Sequence, residues 1–457
     1  MPRPPHESAF DSTAALLAEP YDFIRKRCER HGSDAFGARL LGRDMVCLHG
    51  AAMAERFYDP ALFERAGAAP EPLRATLFGK GGVQGLDGDA HRVRKAMFLR
   101  LMSPASIARL IGHTRNEWEG ALRRWRADGR SGQGGRRFAL YDALHPMLMR
   151  AVCAWAGVPL PAAEVASRTE DVVLLFDAAG RIGTDHLGAR LARGRSEEWL
   201  AGLVEQVRSE APADFATSDP PDADAGEPLP LHAIAFHRDA DGALLPPRIA
   251  AVELLNLIRP TVAVSVYIVF AAHALHVHPH WRDTLAAAAA DGTDAGPVRR
   301  FVQEVRRWYP FFPATVARAR SDVEIDGVSL RAGQRVMLDL YGTGHDERHW
   351  PAPEVFDPDR FLARAPGAFD LIPQGGGAHA SGHRCPGEWI TIALMELAVD
   401  YLVHRVRYRV PPQDLWIDKT RLPALPRSRF VIEDIAPVRA GQRDPASAPA
   451  QPVARST

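Results

Sequence analysis

The sequence has few cysteines, no excess of charge of either sign and no hydrophobic run at its start. Its four cysteines, Cys28, Cys47, Cys153 and Cys385, are scattered over 457 residues without paired spacing, which argues against a disulfide framework or a zinc site. The 56 basic and 56 acidic side chains cancel, so no net field recruits nucleic acid or an anionic membrane. Recognition by charge must therefore come from individually placed side chains.

The N-terminal stretch MPRPPHESAFDSTAALLAEP carries prolines and an acid before any apolar run. Because this pattern is wrong for a signal peptide or a membrane anchor, we expect a cytoplasmic protein without an anchor. A long apolar stretch runs from Pro247 to Val277, but two charged side chains, an amide and a proline interrupt it. Its unbroken part, 261–272, is too short to cross a bilayer. We expect it to form a helix through the core.

Helical patterns dominate the chain. Apolar residues recur every three or four positions, with Gly or Pro nearby, which predicts amphipathic helices over 21–31, 108–129, 140–158 and 188–211. The acidic, proline-rich stretch 211–228 predicts a surface loop.

Alternating patterns in two segments, about 35–50 and 321–340, predict β hairpins, the first turning at Gly42-Arg43-Asp44. The fold class that follows is mainly α with a minor antiparallel β part, formed from these two hairpins. We expect a single domain over residues 1–439 and a disordered tail over 440–457.

The most informative stretch is FDLIPQGGGAHASGHRCPGEWITIALMELAVDYLV, where a glycine-rich loop leads through Cys385 and Pro386 into a helix. Unpaired N–H groups and the helix dipole would stabilise a thiolate there, and Pro386 suits a first helical position. A lone cysteine at a helix start is usually structural. Five glycines favour a ligand instead, because they let backbone pass close to something large and flat: Gly375, Gly376, Gly377, Gly382 and Gly387.

Two further motifs precede the cysteine. Glu304-Val305-Arg306-Arg307 places an acid and a base three residues apart on one helix face, and FDPDRF supplies Arg360. In this order the three motifs resemble those of the cytochrome P450 superfamily. The resemblance implies the cytochrome P450 fold with one haem domain, a structural cluster of Glu304, Arg307 and Arg360, and haem b with an axial thiolate from Cys385. Such a thiolate favours cleavage of an O–O bond at the iron.

The apolar helix departs from the ordinary monooxygenases of the superfamily, which carry an acid followed by Thr. Here LLNLIRPTVAVS has Arg259-Pro260 before Thr261, and Glu253, about 240° around the helix, faces elsewhere. A buried arginine needs a partner. That partner is either an acid of the protein or a carboxylate that arrives as substrate and meets the planar guanidinium. Pro260 bends the helix and frees a backbone carbonyl.

The Arg-Pro pair is similar to that of the fatty-acid peroxygenase branch, as are PQGGGAHASGHRCPGE and TLFGKGGVQGLDGDAHRVRK. This resemblance implies that hydrogen peroxide oxidises a fatty acid at its α or β carbon and that no redox partner is required. The substrate carboxylate, paired with Arg259, would act as general acid–base. Arg259, Pro260 and Gln84 are the catalytic residues that the resemblance implies.

The resemblance also implies the surroundings of the haem. Leu77, Phe78, Gln84 and Arg259 would line the pocket, although Leu77 and Phe78 alone would also suit ordinary core. In that branch His at the position of Gln84 goes with more decarboxylation to terminal alkenes, so Gln84 indicates hydroxylation. The cations expected to meet the haem propionates, each of which would also suit a solvated surface, are His91, Arg94, Lys95, Arg318 and His383.

Three other functions stay open at this point. A reductase-dependent monooxygenase would need acid-alcohol chemistry, which the sequence lacks. A fatty-acid decarboxylase would differ mainly at Gln84. A haem-binding sensor would be catalytically idle, and turnover with peroxide alone would separate it from an enzyme.

Overall fold

The computed structural model describes residues 4–128, 137–180, 183–211, 228–288 and 296–438. The helices are α1 (Thr13–Ala18), α2 (Phe23–His31), α3 (Gly50–Phe57), α4 (Glu71–Leu73), α5 (Gly88–Leu101), α6 (Pro104–Asp128), α7 (Leu140–Ala156), α8 (Val165–Asp177), α9 (Thr184–Glu210), α10 (Pro230–Ala235), α11 (Pro247–Val277), α12 (Pro279–Ala288), α13 (Gly296–Trp308), α14 (Arg360–Ala363) and α15 (Glu388–Asp400). Most of the acidic loop 211–228 and the whole tail 440–457 lie outside the described residues.

The strands are short. They are β1 (Ala35–Leu40), β2 (Arg43–Leu48), β3 (Phe63–Glu64), β4 (Phe138–Ala139), β5 (Ala314–Ala319), β6 (Val323–Ile325), β7 (Val328–Leu330), β8 (Arg335–Asp339), β9 (Val406–Arg409), β10 (Ile417–Asp418), β11 (Leu425–Pro426) and β12 (Val431–Pro437). The mainly α class with a minor β part, predicted from the sequence, is confirmed.

Helix α11 forms the centre of the molecule. It is long and apolar enough to cross a membrane, yet the protein buries 94% of its most apolar 18-residue window. Helices α7, α8, α9 and α15 pack around it, and its aliphatic side chains belong to the largest apolar cluster. The prediction of a core helix is therefore confirmed, because apolar residues on every face of a helix require neighbours on every side.

The main sheet has five strands in the order β1-β2-β8-β5-β3. The prediction of a purely antiparallel sheet is wrong at one pair, since β2 runs parallel to β8, with Met45 opposite Arg335. A parallel pair needs a long connection, and here nearly 300 residues separate the strands. The two predicted segments form one sheet only in part. Strand β8, from the second segment, joins the first hairpin beside β2, while β6 and β7 pair with each other in a separate two-stranded sheet among the described strands.

The first hairpin turns at Leu41 and Gly42, slightly earlier than predicted. Both residues have positive φ, 52° and 69°, which is the geometry of a two-residue turn that matches the twist of its strands. Arg43 and Asp44 consequently belong to β2. Asp326 and Gly327, with φ of 45° and 81°, form the equivalent turn between β6 and β7, where the sequence predicts it.

Candidate active site

The cysteine loop brings Cys385 against the core just before α15. The Cys385 N–H donates to the carbonyl of Gln374 at 2.9 Å, and Gly375 makes the reversal with φ of 91°, which glycine alone adopts without strain. Helix α15 begins at Glu388 with Gly387 as its N-cap. Pro386 therefore precedes the helix and is not its first residue, which corrects the sequence prediction by two positions.

Burial is the main influence of the protein on the Cys385 sulfur. Burial raises the pKa of the thiol, and the Gly387 N–H, Lys95 and Arg259 only partly oppose that effect. A bound cation at the sulfur would supply the missing stabilisation, since thiols that ligate metal ions lose their proton. The other three cysteines, Cys28, Cys47 and Cys153, are buried as predicted.

A buried ionic network supports the loop from behind. Arg306 donates to Glu388 at 2.5 Å and to the Gln374 side chain at 3.0 Å. Arg384 donates to Glu388 at 2.6 Å. Sequence reasoning missed Arg306, Gln374 and Glu388, although the acid directly after Cys-Pro-Gly and the second arginine of the helical motif were visible signals. The network fixes the chain on both sides of Cys385.

The predicted cluster of Glu304, Arg307 and Arg360 is present. The Arg307 guanidinium donates to both Glu304 oxygens, each at 2.7 Å, and Arg360 Nε donates to Glu304 Oε1 at 3.1 Å. Arg307 also donates to three carbonyls, of which Gly344 is the nearest at 2.8 Å. This cluster satisfies every buried charge that it contains, and it joins α13 to the segment before the cysteine loop.

Three of the predicted propionate partners lie beside the cysteine loop. The rings of His91 and His383 lie 4.0 Å apart, and Lys95 Nζ donates to the carbonyls of Gly382, at 3.0 Å, and Arg384. Burial, followed by the charges of His383 and Lys95, lowers the pKa of His91 to about 4. Burial also lowers the pKa of Lys95 to about 8.

The other two predicted propionate partners have carboxylate partners of their own. Arg94 Nη1 donates to Glu253 at 2.6 Å, and Arg94 Nη2 donates to Asp239. Arg318 donates to Glu64 at 3.0 Å and is partly exposed. Their contacts with propionates stay a prediction, and the ion pairs point Arg94 toward α11 rather than toward the cysteine loop.

Arg65 is a buried cation that the sequence reasoning missed. Its guanidinium donates to the Val316 carbonyl at 2.8 Å and lies over the Phe57 ring. Asp87, an acid whose charge acts on Arg65, accepts the backbone N–H groups of Arg65 and Ala66. No motif marks Arg65, since only the tertiary fold brings its backbone to Asp87, the N-cap of α5.

Arg259 stands on the other side of the site, on α11. It is 7% exposed, and its Nε has no hydrogen-bond partner. No carboxylate within the described ranges pairs with it, so the alternative of a salt bridge to a buried acid finds no support there. Burial, followed by the charge of Arg193, lowers the pKa of Arg259 to about 9. An incoming carboxylate would offset this cost of holding a buried cation.

The residues next to Arg259 contain no proton-delivering pair. The Thr261 hydroxyl donates to the Leu257 carbonyl at 2.8 Å, so it serves the helix backbone. Pro260, inside α11, has no N–H for the carbonyl of Asn256, four residues earlier. The Asn256 side chain donates to Gln84 Oε1 at 3.2 Å, which joins the predicted Gln84 to the helix that carries Arg259.

Leu77 and Phe78 end a short π-helical segment, Arg74–Phe78. Leu77 is buried and Phe78 half-buried, and both pack on the main core. Arg193 of α9 fixes this segment by donating to the carbonyls of Thr76 and Leu77 at 2.8 and 3.1 Å. Their place in a pocket stays a prediction, while Arg193 is a further residue that sequence reasoning missed.

The family model for cytochrome P450 matches residues 298–431. The structure is similar to that of a point variant of cytochrome P450SP alpha (CYP152B1), with a TM-score of 0.85 and 46% identity over 94% of this chain and 100% of that one. It is also similar to cytochrome P450EX alpha (CYP152N1) with myristic acid, with a TM-score of 0.86 and 39% identity over 96% of this chain and 100% of that one.

The chain belongs to the CYP152 family of cytochromes P450. The predicted resemblance to the fatty-acid peroxygenase branch is thereby confirmed. Among curated proteins, cytochrome P450 84A4 of Arabidopsis thaliana is 35% identical over 115 residues, which are 24% of this chain and 22% of that protein. The chain thus matches less than a quarter of the length of that relative.

The cofactor of this cytochrome P450 is haem b with a cysteine thiolate as axial ligand, as predicted. The residues present fit it. Cys385 offers the soft ligand, in a loop whose conformation needs glycine. Lys95 and Arg65 are buried cations nearby, and His91 is a buried imidazole beside them that can donate a hydrogen bond, so an anionic group would find partners there. Lys95 and Arg65 are the residues we expect to hold the propionates.

Proposed function

We propose that this cytochrome P450 is a peroxygenase that hydroxylates long-chain fatty acids at the α or β carbon with hydrogen peroxide. The observation that carries the proposal is Arg259, a buried guanidinium without a carboxylate partner among the described residues. A related structure, cytochrome P450EX alpha, contains myristic acid, which supports a fatty acid as the ligand. The reaction consumes one fatty acid and one peroxide, and it gives a hydroxy acid and water.

Arg259 would hold the substrate by its carboxylate through two parallel N–H···O bonds. This pairing fixes which carbons lie nearest the reacting centre, so that regioselectivity follows from binding. The bound haem supplies the oxidising power, because its thiolate ligand favours O–O cleavage. The chain has no acid beside Thr261, whose hydroxyl is already donated to Leu257. The substrate carboxylate therefore moves the proton of hydrogen peroxide.

Gln84 favours hydroxylation over decarboxylation in this proposal. Its amide is neutral at every pH of interest and can hydrogen-bond substrate or water, but it cannot exchange a proton as a histidine can. We further propose that the enzyme acts in the cytoplasm and that it needs no redox partner.

The experiment is peroxide-only turnover of myristic acid by the purified haem-loaded protein. We expect 2- and 3-hydroxymyristic acid as the main products, with alkene a minor one. A reductase-dependent monooxygenase would give product only with an electron-transfer system, and a sensor would give none in either case. Cys385→Ser is the control for chemistry by released haem.

A further inference from the structure

Gln84 is held in one orientation by a chain of hydrogen bonds that starts at a buried charge. Glu253 is fully buried on α11. It accepts three hydrogen bonds, from Arg94 Nη1 at 2.6 Å, from the Val83 N–H at 2.9 Å and from Asn256 Nδ2 at 2.8 Å. All three partners donate, and a carboxylate can only accept. Burial raises the pKa of Glu253, whereas the charge of Arg94 and these three donors oppose that effect and favour the ionised form.

The charge of Glu253 decides which way the Asn256 amide faces. With its carbonyl oxygen toward Glu253, Asn256 would oppose two acceptors, so its NH₂ group must face the carboxylate. The cost of this choice is visible, because Asn256 Oδ1 is buried without a partner. The same NH₂ group also donates to Gln84 Oε1 at 3.2 Å.

Gln84 in turn can face the site in one way only. Its carbonyl oxygen is taken by Asn256, so its NH₂ group points away from that contact. Within the described part of the chain, Gln84 Nε2 donates to no protein group. Asn256 lies three residues before Arg259, on the same helix face and about 4.5 Å along the axis. Gln84 thus contacts a residue one helical turn from Arg259, whose Nε has no hydrogen-bond partner.

We propose that Glu253, acting through Asn256, is a positioning residue that turns the Gln84 NH₂ group toward the space beside Arg259, where it is a second donor to the substrate carboxylate. The inference rests on the proposed function, since it assumes a carboxylate at Arg259. It also gives Arg94 a role other than that of a propionate partner: Arg94 keeps Glu253 charged and thereby fixes the direction of the whole chain of hydrogen bonds.

The test is a double-mutant cycle. In each variant the affinity for myristic acid is measured from the optical shift of the haem when the acid binds. Gln84→Leu removes the donor, and we expect about tenfold weaker binding, the effect of one hydrogen bond to a charged group. Glu253→Gln should weaken binding to a similar extent. The double variant should be no weaker than Gln84→Leu alone, because both changes remove the same contact.

Two controls separate positioning from damage to the fold. Glu433→Gln removes a buried carboxylate that pairs with Arg137 at 2.9 Å on β12, away from Gln84, and should leave the affinity unchanged. Asn256→Ala breaks the same chain without touching the ion pair, and it replaces Glu253→Gln in the cycle if that variant does not fold.

Additive effects in the cycle, or affinities of Glu253→Gln and Asn256→Ala within twofold of wild type, would overturn the proposal. If the wild-type enzyme hydroxylates myristic acid with peroxide while the cycle is additive, the positioning role alone fails. If Arg259→Ala binds myristic acid as wild type does, the proposed function fails with it.

Discussion

Two buried arginines, Arg307 on α13 and Arg259 on α11, are partnered in opposite ways. Arg307 donates to both oxygens of Glu304 and to backbone carbonyls, whereas Arg259 has an unpaired Nε and no carboxylate partner in the described ranges. Both are at most 7% exposed. A buried charge with all its bonds made inside the protein stabilises one arrangement of the chain. A buried charge without them is costly to the fold and is free to pair with a group that arrives from outside.

The Arg307 cluster joins the segment that leads into the cysteine loop, and this loop supplies the iron ligand, Cys385. Removing this ligand should have the largest effect of the substitutions considered. The reduced carbon monoxide complex of the wild type should absorb at a strongly red-shifted wavelength, because soft anionic sulfur mixes with the porphyrin transition. Cys385→Ser should abolish that band and peroxide-driven turnover. A wild-type spectrum like that of a globin would contradict the assignment.

A matched pair of substitutions tests whether the two arginines contribute differently to stability. Arg307→Met leaves the Glu304 carboxylate buried with much of its pairing gone, and it should lower the free energy of unfolding by about 3–5 kcal/mol. Arg259→Met removes a charge that lacks an internal partner, so it should change stability by less than about 1 kcal/mol or raise it.

Urea unfolding of the two variants beside wild type measures this difference. Similar losses of stability in both variants would show that Arg259 has a structural partner in the folded protein, and the contrast between the two arginines would not hold.

The smallest expected effect is that of replacing Gln84, a neutral residue that contacts Asn256 on the helix that carries Arg259. Gln84→His introduces a group that can exchange a proton near neutral pH, so the share of terminal alkene among the products of myristic acid should rise severalfold. Gas chromatography of the products measures it. A wild-type enzyme that already makes mostly alkene would contradict the interpretation of Gln84.

Much of the cysteine loop and of the Glu304 cluster could be predicted from the sequence, because the signals for both are local. Glu304 and Arg307 are three residues apart on one helix, and the glycines around Cys385 lie within one short stretch. The central position of α11 also followed from apolar residues on all of its faces.

The direction of long-range strand pairing and the partners of buried charges could not be predicted. The parallel pair of β2 and β8 joins strands that are nearly 300 residues apart. Arg94 donates to Glu253 and Asp239, two carboxylates outside its own helix, and no local sequence pattern shows these pairings. Periodicity reports which residues are buried, but it does not report which buried charges meet.

The central claim is that Arg259 holds the substrate by its carboxylate. The direct measurement compares kcat/KM for peroxide-driven hydroxylation of myristic acid and of its methyl ester in wild type, Arg259→Lys and Arg259→Ala. The wild type should strongly prefer the acid. Loss of a charge-assisted, buried pair is worth about 2–5 kcal/mol, so Arg259→Ala should lower the efficiency with the acid by about 10- to 1000-fold.

Arg259→Lys should recover only part of the loss, because an ammonium lacks the planar fork. A short carboxylic acid that fills the gap beside Arg259 should allow the wild type to oxidise a substrate without a carboxylate. If Arg259→Ala oxidises myristic acid at wild-type efficiency, or if the methyl ester reacts as well as the acid, the substrate carboxylate has no part in the reaction.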